Sequence, residues 1–215
     1  MTVADLSRLV AIVPVRSLSG AKSRLGEPLD PEERRDLVLA LLQRTVKAAL
    51  AARTLAGVVV VSKDPEVVAN VLALGASVVL QESDGLNEGL REARTEIAGT
   101  ASALVVLPAD LPGISAAEID RLADAAAEAA AREPGRPVVA LVPDQHGSGT
   151  NALLLAPPAA LDFQFGEGSR FAHAAAAHEA GATYVELAGA LAFDVDTPED
   201  LLLADMRGLG HEAGR

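Results

Sequence analysis

The 215-residue sequence has no cysteine and only four histidines. Without cysteine the protein has no disulfide bond, no thiolate nucleophile and no cysteine-ligated zinc, which fits a reducing compartment. The histidines supply no zinc motif either, because His173 and His178 would point to different sides of a helix and no His-Glu-x-x-His pattern occurs. The chemistry must therefore rest on other residue types.

Long apolar stretches are also absent. No run reaches the roughly 18 uninterrupted apolar residues of a membrane-spanning helix. The amino-terminal apolar run is short, and Arg16 follows it without a small-residue cleavage site, so no signal peptide is expected. We therefore expect a soluble, cytoplasmic protein that has no membrane partner.

The net charge is −12, and half of the residues are hydrophobic. This hydrophobic content is sufficient for one core, so we expect a single domain over residues 1–215 with a frayed tail at residues 208–215. An acidic protein repels a phosphate backbone, so no nucleic-acid partner is expected. Arg16, Lys22 and Arg24 nevertheless lie within nine residues that contain no acid. Such a cluster indicates either a small anionic ligand or an ordinary solvated loop.

Short apolar runs alternate with helical patterns along the chain. Several runs are apolar throughout, which is typical of strands buried on both faces of a mostly parallel sheet. Candidate strands cover residues 10–15, 58–61, 78–80, 104–107, 138–142, 152–155, 184–187 and 192–195. Four helix starts combine a capping residue with a following proline or acid: Asp30-Pro31, Asp64-Pro65, Ser115 with Glu118, and Thr197-Pro198. The order predicts a single-domain α/β fold whose mixed, mostly parallel sheet is flanked by helices and has an antiparallel excursion in its second half.

Ligands of open α/β sheets bind beyond the carboxyl ends of the strands, so the residues that follow each strand are informative. The first such segment runs from Pro14 to residue 25. Gly20 permits a tight loop that could approach phosphates, with Arg16 and Lys22 as charged donors. It is not a Walker A loop, because Ala21 separates Gly20 from Lys22.

Acids accompany two of the apolar runs. Asp110 follows the run that ends at Leu107, which should be a central strand, and Asp194 and Asp196 close the run predicted as the last strand. Asp194 and Asp196 point the same way if that strand continues. Carboxylate oxygens, together with substrate phosphates, are the ligands that magnesium prefers. The alternative for each acid is a cap of a turn or of a helix.

Two glycine-rich loops bear hydroxyl groups: residues 144–151, which include Thr150, and residues 165–170, which include Gly166 and Ser169. The second loop opens a helix, where free backbone amides and the helix dipole favour an anion, so Ser169 is well placed for a phosphate or carboxylate. A plain glycine turn is the alternative for each loop. With the acids and the basic loop, these features predict a phosphoryl-type site. A Ser-His-Asp triad is disfavoured, since no Gly-x-Ser-x-Gly pattern occurs.

Five segments together resemble the CofC/FbiD family, the phosphoenolpyruvate or 2-phospho-L-lactate guanylyltransferases of coenzyme F-420 biosynthesis. They are residues 13–16 with 22–25, the Asp-Leu-Pro turn at 109–112, the loop 147–151, the loop 165–169, and residues 194–198. The match covers nearly the whole chain, in order. The Asp-Leu-Pro turn is shared with many nucleotidyltransferases, whereas the Lys-Ser-Arg-Leu element and the Gly-x-Gly-Thr loop are more specific.

The resemblance implies a GTP-dependent guanylyltransferase with a nucleotidyltransferase, glycosyltransferase A-like fold. It implies catalytic roles for Asp110, Asp194, Lys22 and Arg16, with magnesium bound by Asp110 and Asp194. The residues implied to bind the acceptor are Thr150, Gly166 and Ser169. Those implied to bind GTP are Pro14, Arg16, Lys22, Leu86 and Asn87. Phosphoenolpyruvate is the favoured acceptor and 2-phospho-L-lactate the alternative, and the next enzyme of the pathway is a candidate partner. A molybdenum-cofactor or sugar-phosphate nucleotidyltransferase would share the fold, as would a non-catalytic nucleotide-binding module.

Overall fold

Seven β-strands form one sheet in the computed structural model, which describes residues 4–16, 18 and 29–206. Lys22 and the expected frayed tail lie outside the described residues. The strands are β1 (Leu9–Pro14), β2 (Leu55–Ser62), β3 (Ser77–Leu80), β4 (Ala103–Val106), β5 (Val138–Pro143), β6 (Thr150–Ala156) and β7 (Thr183–Glu186). The first seven predicted strands are therefore confirmed, with small differences at their ends.

The strand order of the sheet is β3-β2-β1-β4-β6-β5-β7. Neighbouring strands pair in parallel except around β6, which runs antiparallel to both β4 and β5. The prediction of a mixed, mostly parallel sheet with an antiparallel excursion is confirmed. Because Val106 pairs with Leu153 in the antiparallel ladder, β6 begins beside the carboxyl end of β4. This reversal brings Thr150 to the sheet edge that Asp110 follows.

The helices are α1 (Pro31–Ala51), α2 (Pro65–Ala73), α3 (Leu86–Ile97), α4 (Ala116–Arg132), α5 (Ser169–Glu179) and α6 (Pro198–Met206). The four predicted helix starts are confirmed. Before α1, Asp30 accepts hydrogen bonds from the N–H groups of Glu32 and Glu33, and the Glu33 carboxylate accepts one from the Asp30 N–H. Each such cap satisfies backbone donors that the first helical turn leaves without a partner. Within the described ranges, no helix combines the length and the hydrophobicity that crossing a membrane requires.

The sheet separates two apolar layers. Alternate residues of β1 belong to opposite layers. Leu9 and Ala11 lie in the layer formed with α1, α2 and α4. Val10 and Ile12 lie in the layer formed with α3 and α5. The central strands are buried almost throughout, whereas the edge strands β3 and β7 are partly exposed. Burial of both faces explains the continuous apolar runs and fixes the positions at which the central strands end.

The strand predicted at residues 192–195 is wrong. The chain forms a 3-10 helix over Ala190–Ala192 and then continues in an extended conformation that makes no sheet pairing among the described residues. Phe193 and Val195 are buried in a small separate cluster with Ala204 of α6, and Asp194 between them is partly exposed. Packing on a helix therefore produces here the alternation of buried and exposed residues that is typical of a strand.

Candidate functional site

Asp110 and Asp194, called the acid pair below, lie on two loops that the backbone joins. Asp110 follows the end of β4, and its carbonyl oxygen accepts a hydrogen bond of 3.2 Å from the Val195 N–H. This bond holds Asp194 beside the end of the central strand, although Asp194 belongs to no strand itself. The structure thus brings the two acids predicted to bind magnesium together, and the charge of Asp110 acts on the Asp194 carboxyl.

Asn151, the second residue of β6, fixes the Asp194 carboxylate. Its Nδ2 donates to Asp194 Oδ1 at 3.2 Å and to the Leu191 carbonyl oxygen at 3.1 Å. Since Asn151 is buried and lies in a paired strand, its amide has a fixed place from which to orient the acid. The sequence analysis gave Asn151 no role of its own. A polar amide at the start of an otherwise apolar strand is the signal that could have found it.

The Asp194 carboxyl lies in an unfavourable electrostatic environment. Burial, the largest cause, raises its pKa above the usual aspartate value, and the charges of Asp110 and Asp196 raise it further, whereas the Asn151 hydrogen bond lowers it. A bound cation would relieve this repulsion, so the donor set fits a divalent metal. Among the described residues, no three His, Asp or Glu side chains converge as a metal cluster. The remaining ligands would then be water and substrate phosphates, as is usual for magnesium.

The backbone of Asp196 belongs to the cap of α6. The Asp196 N–H donates to Asp200 Oδ2 at 3.1 Å, and the same oxygen accepts from the Thr197 N–H at 2.8 Å. Gln145 of the glycine-rich loop joins this cap through a bond of 2.9 Å to Asp200 Oδ1. Asp196 therefore takes part in the helix start through its backbone, while its carboxylate adds negative charge at Asp194.

Thr150 and Ser169, two predicted acceptor residues, meet in the protein interior. Ser169 Oγ donates to Thr150 Oγ1 at 3.1 Å, and both residues are buried. Gly166 lies on the surface above them, and its carbonyl oxygen accepts from the Ser169 N–H at 3.1 Å. Gly166 has a φ of +136°, and an added side chain would meet no atom within 4 Å. The structure thus gathers the three residues, with open space beside the glycine.

The predicted free amides at the start of α5 are wrong in this structure. The N–H of Ser169 donates to Gly166, that of Arg170 to the Ser148 carbonyl oxygen at 3.1 Å, and that of Phe171 to Gly168 at 3.0 Å. Gly168 adopts a left-handed conformation that turns the chain tightly into the helix, and the loop of Ser148 lies over the first turn. The N–H groups at this helix start are therefore already bonded to carbonyl oxygens.

Helix α3 holds the segment of residues 161–169, called the acceptor loop below. Asn87 binds the backbone of Phe165 twice, accepting from its N–H at 2.9 Å and donating to its carbonyl oxygen at 3.0 Å. Arg94 donates to the Leu161 carbonyl oxygen at 3.1 Å, and Arg91 donates to Asp162 at 2.8 Å. Leu86, the first residue of α3, packs against the apolar layer. The side chain of Asn87 thus supports the acceptor loop, a contact that the sequence analysis missed although positions 87, 91 and 94 share one helix face.

The basic loop is described only at its ends. Pro14 closes β1, Arg16 follows it with an exposed side chain, and Lys22 lies outside the described residues. Leu18 is buried, and its N–H donates to Asp64 Oδ2 at 2.9 Å, which ties the loop to the cap of α2. The structure therefore places Arg16 beyond the carboxyl end of β1, the strand next to β4.

The fold belongs to the nucleotidyltransferase class. A nucleotidyl transferase from Methanothermobacter superposes with a TM-score of 0.69 over 94% of this chain and 98% of its own, at 20% identity. The chain belongs to the guanylyl transferase CofC-like family, whose model matches residues 9–214. The chain is 48% identical to a phosphoenolpyruvate guanylyltransferase of Sphaerobacter thermophilus, over 89% of this chain and 90% of the relative. It is 45% identical to an enzyme of the same name from Rubrobacter xylanophilus, over 92% and 94% respectively.

Proposed function

We propose that the protein transfers GMP from GTP to phosphoenolpyruvate, with release of pyrophosphate, in coenzyme F-420 biosynthesis. The observation that carries this proposal is the arrangement of the acid pair next to the strand start that bears Thr150, because Asn151 is bonded to Asp194 and adjoins Thr150 in the chain. The site therefore has a place for a metal-bound triphosphate beside a place for a small anion. Family membership and the names of the relatives support the choice of substrates.

In the proposed reaction a phosphate oxygen of the acceptor attacks the α-phosphorus of GTP. The new phosphorus–oxygen bond forms as the bond to pyrophosphate breaks. The attacking oxygen is already anionic at neutral pH, so no general base is needed. The main obstacle is repulsion between two polyanions, so positioning and electrostatic stabilisation carry the catalysis.

Asp110 and Asp194 would hold magnesium, which would neutralise charge on the transferred phosphate when bound. Arg16 and Lys22 would cover the triphosphate from the basic loop, since Arg16 follows the carboxyl end of β1 at the same sheet edge. The start of α3 at Leu86 and Asn87 would lie near the nucleoside. Asn87 already bonds Phe165 through Oδ1 and Nδ2, so a nucleoside contact of its side chain would use the second Nδ2 hydrogen or the second lone pair of Oδ1.

Thr150, Gly166 and Ser169 would hold the acceptor. Phosphoenolpyruvate and 2-phospho-L-lactate differ only in a double bond and its hydrogens, so both offer the same phosphate and carboxylate to these residues. The names of the relatives favour phosphoenolpyruvate. The next enzyme of the pathway would draw an unstable product forward, which makes it a candidate partner in the assay and in the cell.

The test is pyrophosphate release measured with each common nucleoside triphosphate against phosphoenolpyruvate, 2-phospho-L-lactate and a sugar phosphate, with magnesium and with chelator. We expect release only with GTP, magnesium and one of the two phosphorylated acids, and the faster acid identifies the acceptor. Turnover of a sugar phosphate with another nucleotide would contradict the proposal. Thermal stabilisation by GTP without turnover would instead indicate a non-catalytic module.

A further inference from the structure

We propose that His173 is a positioning residue for the acceptor, because it fixes the hydroxyl of Thr150 as a hydrogen-bond donor to an anionic oxygen. This inference rests on the proposed function and names a residue for which the sequence gave no role. His173 lies on α5 and is completely buried, so it touches no solvent and no substrate itself. It would act only through the groups that it bonds.

The two ring nitrogens of His173 have different partners. Nε2 accepts a hydrogen bond of 3.1 Å from the backbone N–H of Gln164, and Nδ1 lies 3.1 Å from Thr150 Oγ1. A nitrogen that accepts carries no hydrogen, and a neutral imidazole has one N–H. The hydrogen must therefore be on Nδ1, which donates to Thr150. The backbone of the acceptor loop thus selects the tautomer that faces Thr150.

The imidazole stays neutral at neutral pH. Burial lowers the pKa of His173 to about 4, because the charged form would lose its hydration inside the protein. The ring of Phe165 packs edge-on against the imidazole, with the ring centroids 5.1 Å apart. A doubly protonated ring would also point a hydrogen at the N–H of Gln164, so the observed contact agrees with the neutral form.

This arrangement determines what Thr150 can do. Thr150 Oγ1 accepts from His173 Nδ1 and from Ser169 Oγ, which uses both of its acceptor positions. Its own hydrogen is then left to donate to a third group. Among the described residues Thr150 Oγ1 bonds only to His173 and Ser169, and Thr150 keeps 8% of its surface exposed at the sheet edge. A phosphate or carboxylate oxygen of the acceptor would supply the missing partner.

His173 also joins the two halves of the acceptor site. Thr150 starts β6, whereas Gln164 precedes Phe165 and Gly166 in the acceptor loop. One imidazole therefore sets both the orientation of the hydroxyl and the place of the loop backbone. Loss of the imidazole should weaken acceptor binding, while the acid pair and the start of α3 remain as they are.

The experiment compares His173→Leu with His173→Asn, which have nearly the same shape and lack the bond to Gln164. Only the asparagine amide can replace the Nδ1 donor to Thr150. We expect His173→Leu to raise the KM for phosphoenolpyruvate about tenfold and the KM for GTP less than twofold, since one oriented hydrogen bond is lost. His173→Asn should stay within about threefold of the wild type in both constants by the same reasoning. His178→Gln, an exposed change on the same helix, serves as the matched control.

Equal rises of the acceptor KM in the leucine and asparagine variants would overturn the inference, because a purely structural histidine predicts that result. A rise in the KM for GTP as large as that for the acceptor would do the same. If His173→Leu does not fold, Thr150→Val and Thr150→Ser replace it. The valine variant must then raise the acceptor KM more than the serine variant, which keeps the hydroxyl, and equal rises in both reject the proposed donor.

A double substitution shows whether His173 acts through Thr150. In a Thr150→Val background, His173→Leu should raise the acceptor KM by less than twofold, because the group that it positions is already gone. If His173→Leu still raises the acceptor KM about tenfold in this background, His173 does not act through Thr150. The wild-type enzyme in the same assay tests the proposed function separately. If it releases no pyrophosphate with any acceptor, the proposed reaction itself is contradicted. A change seen only in the variants concerns His173 alone.

Discussion

Around Asp194 the charges of Asp110 and Asp196 add to the cost of burying a carboxylate and the Asn151 amide counters them, whereas around Thr150 the polar groups are neutral and bonded to one another. The acid side raises the pKa of Asp194 and gains from a cation that neutralises it. The acceptor side is already connected from β6 to α5 and the acceptor loop. With the proposed function, metal and nucleotide would complete the acid side of the site, while the acceptor side is already arranged for a small anion.

The largest effect should follow from removing one charge of the acid pair. Asp194→Asn keeps the acceptor atom for Asn151 but loses the carboxylate proposed to bind magnesium, so we expect the rate of pyrophosphate release to fall about 100- to 1,000-fold, or about 2.7–4 kcal/mol. The melting temperature should equal or exceed that of the wild type, because the amide ends the repulsion. Initial rates and calorimetry measure the two effects, with the exposed change Glu199→Gln as control. Near-wild-type turnover, or a clear loss of stability, would contradict the contrast between a charged acid side and a neutral acceptor side.

The acceptor side can be tested by pH. The folded-state pKa of His173 is about 4 and its unfolded value is 6.5, so the unfolded chain binds more protons between these values. The contribution of His173 to the free energy of unfolding should therefore be complete above pH 6.5. It should fall by about 3 kcal/mol as the pH decreases toward 4. Denaturant unfolding at pH 7 and pH 4.5 should show a smaller acid-induced loss in His173→Asn than in the wild type. Identical losses would mean that the imidazole is not buried in its neutral form.

Asn87 connects the nucleotide side of the site with the acceptor side, because α3 bears the predicted nucleoside segment and holds the acceptor loop. Asn87→Ala removes two hydrogen bonds to Phe165 and should cost about 2 kcal/mol of stability. Asn87→Asp, which keeps one acceptor, should cost less. We expect the KM for the acceptor to rise more than the KM for GTP in steady-state assays. A rise confined to GTP would instead support the direct nucleoside contact implied by the family resemblance.

The smallest of the four effects concerns Asn151. Asn151→Ala leaves both acids in place but removes the donor that orients Asp194. The magnesium concentration for half-maximal activity should rise about tenfold, as is usual when a residue that orients a metal ligand is lost. Activity at saturating magnesium should largely return. A variant that stays inactive at any magnesium concentration would show that Asn151 does more than orient the acid.

The order of elements could be predicted from the sequence because it depends on local signals. Continuous apolar runs mark buried strands, and a capping residue before proline marks a helix start. The segment at residues 192–195 was mistaken for a strand, since packing on α6 gives the same alternation as a sheet. The bonds of Asn151 to Asp194, of His173 to Thr150 and of Asn87 to Phe165 could not be found in this way, because the partners lie 43, 23 and 78 residues apart in the chain. Such contacts exist only once the fold brings distant segments together.

The reaction proposed for this site joins GMP to a three-carbon phosphorylated acid. Mass spectrometry can follow the product formed from GTP and carbon-13-labelled phosphoenolpyruvate with magnesium, alongside pyrophosphate in the same sample. We expect a guanosine-containing product whose mass carries the label, one pyrophosphate for each product molecule, and neither in Asp194→Asn. Pyrophosphate or GDP formed without a labelled guanosine product would contradict it.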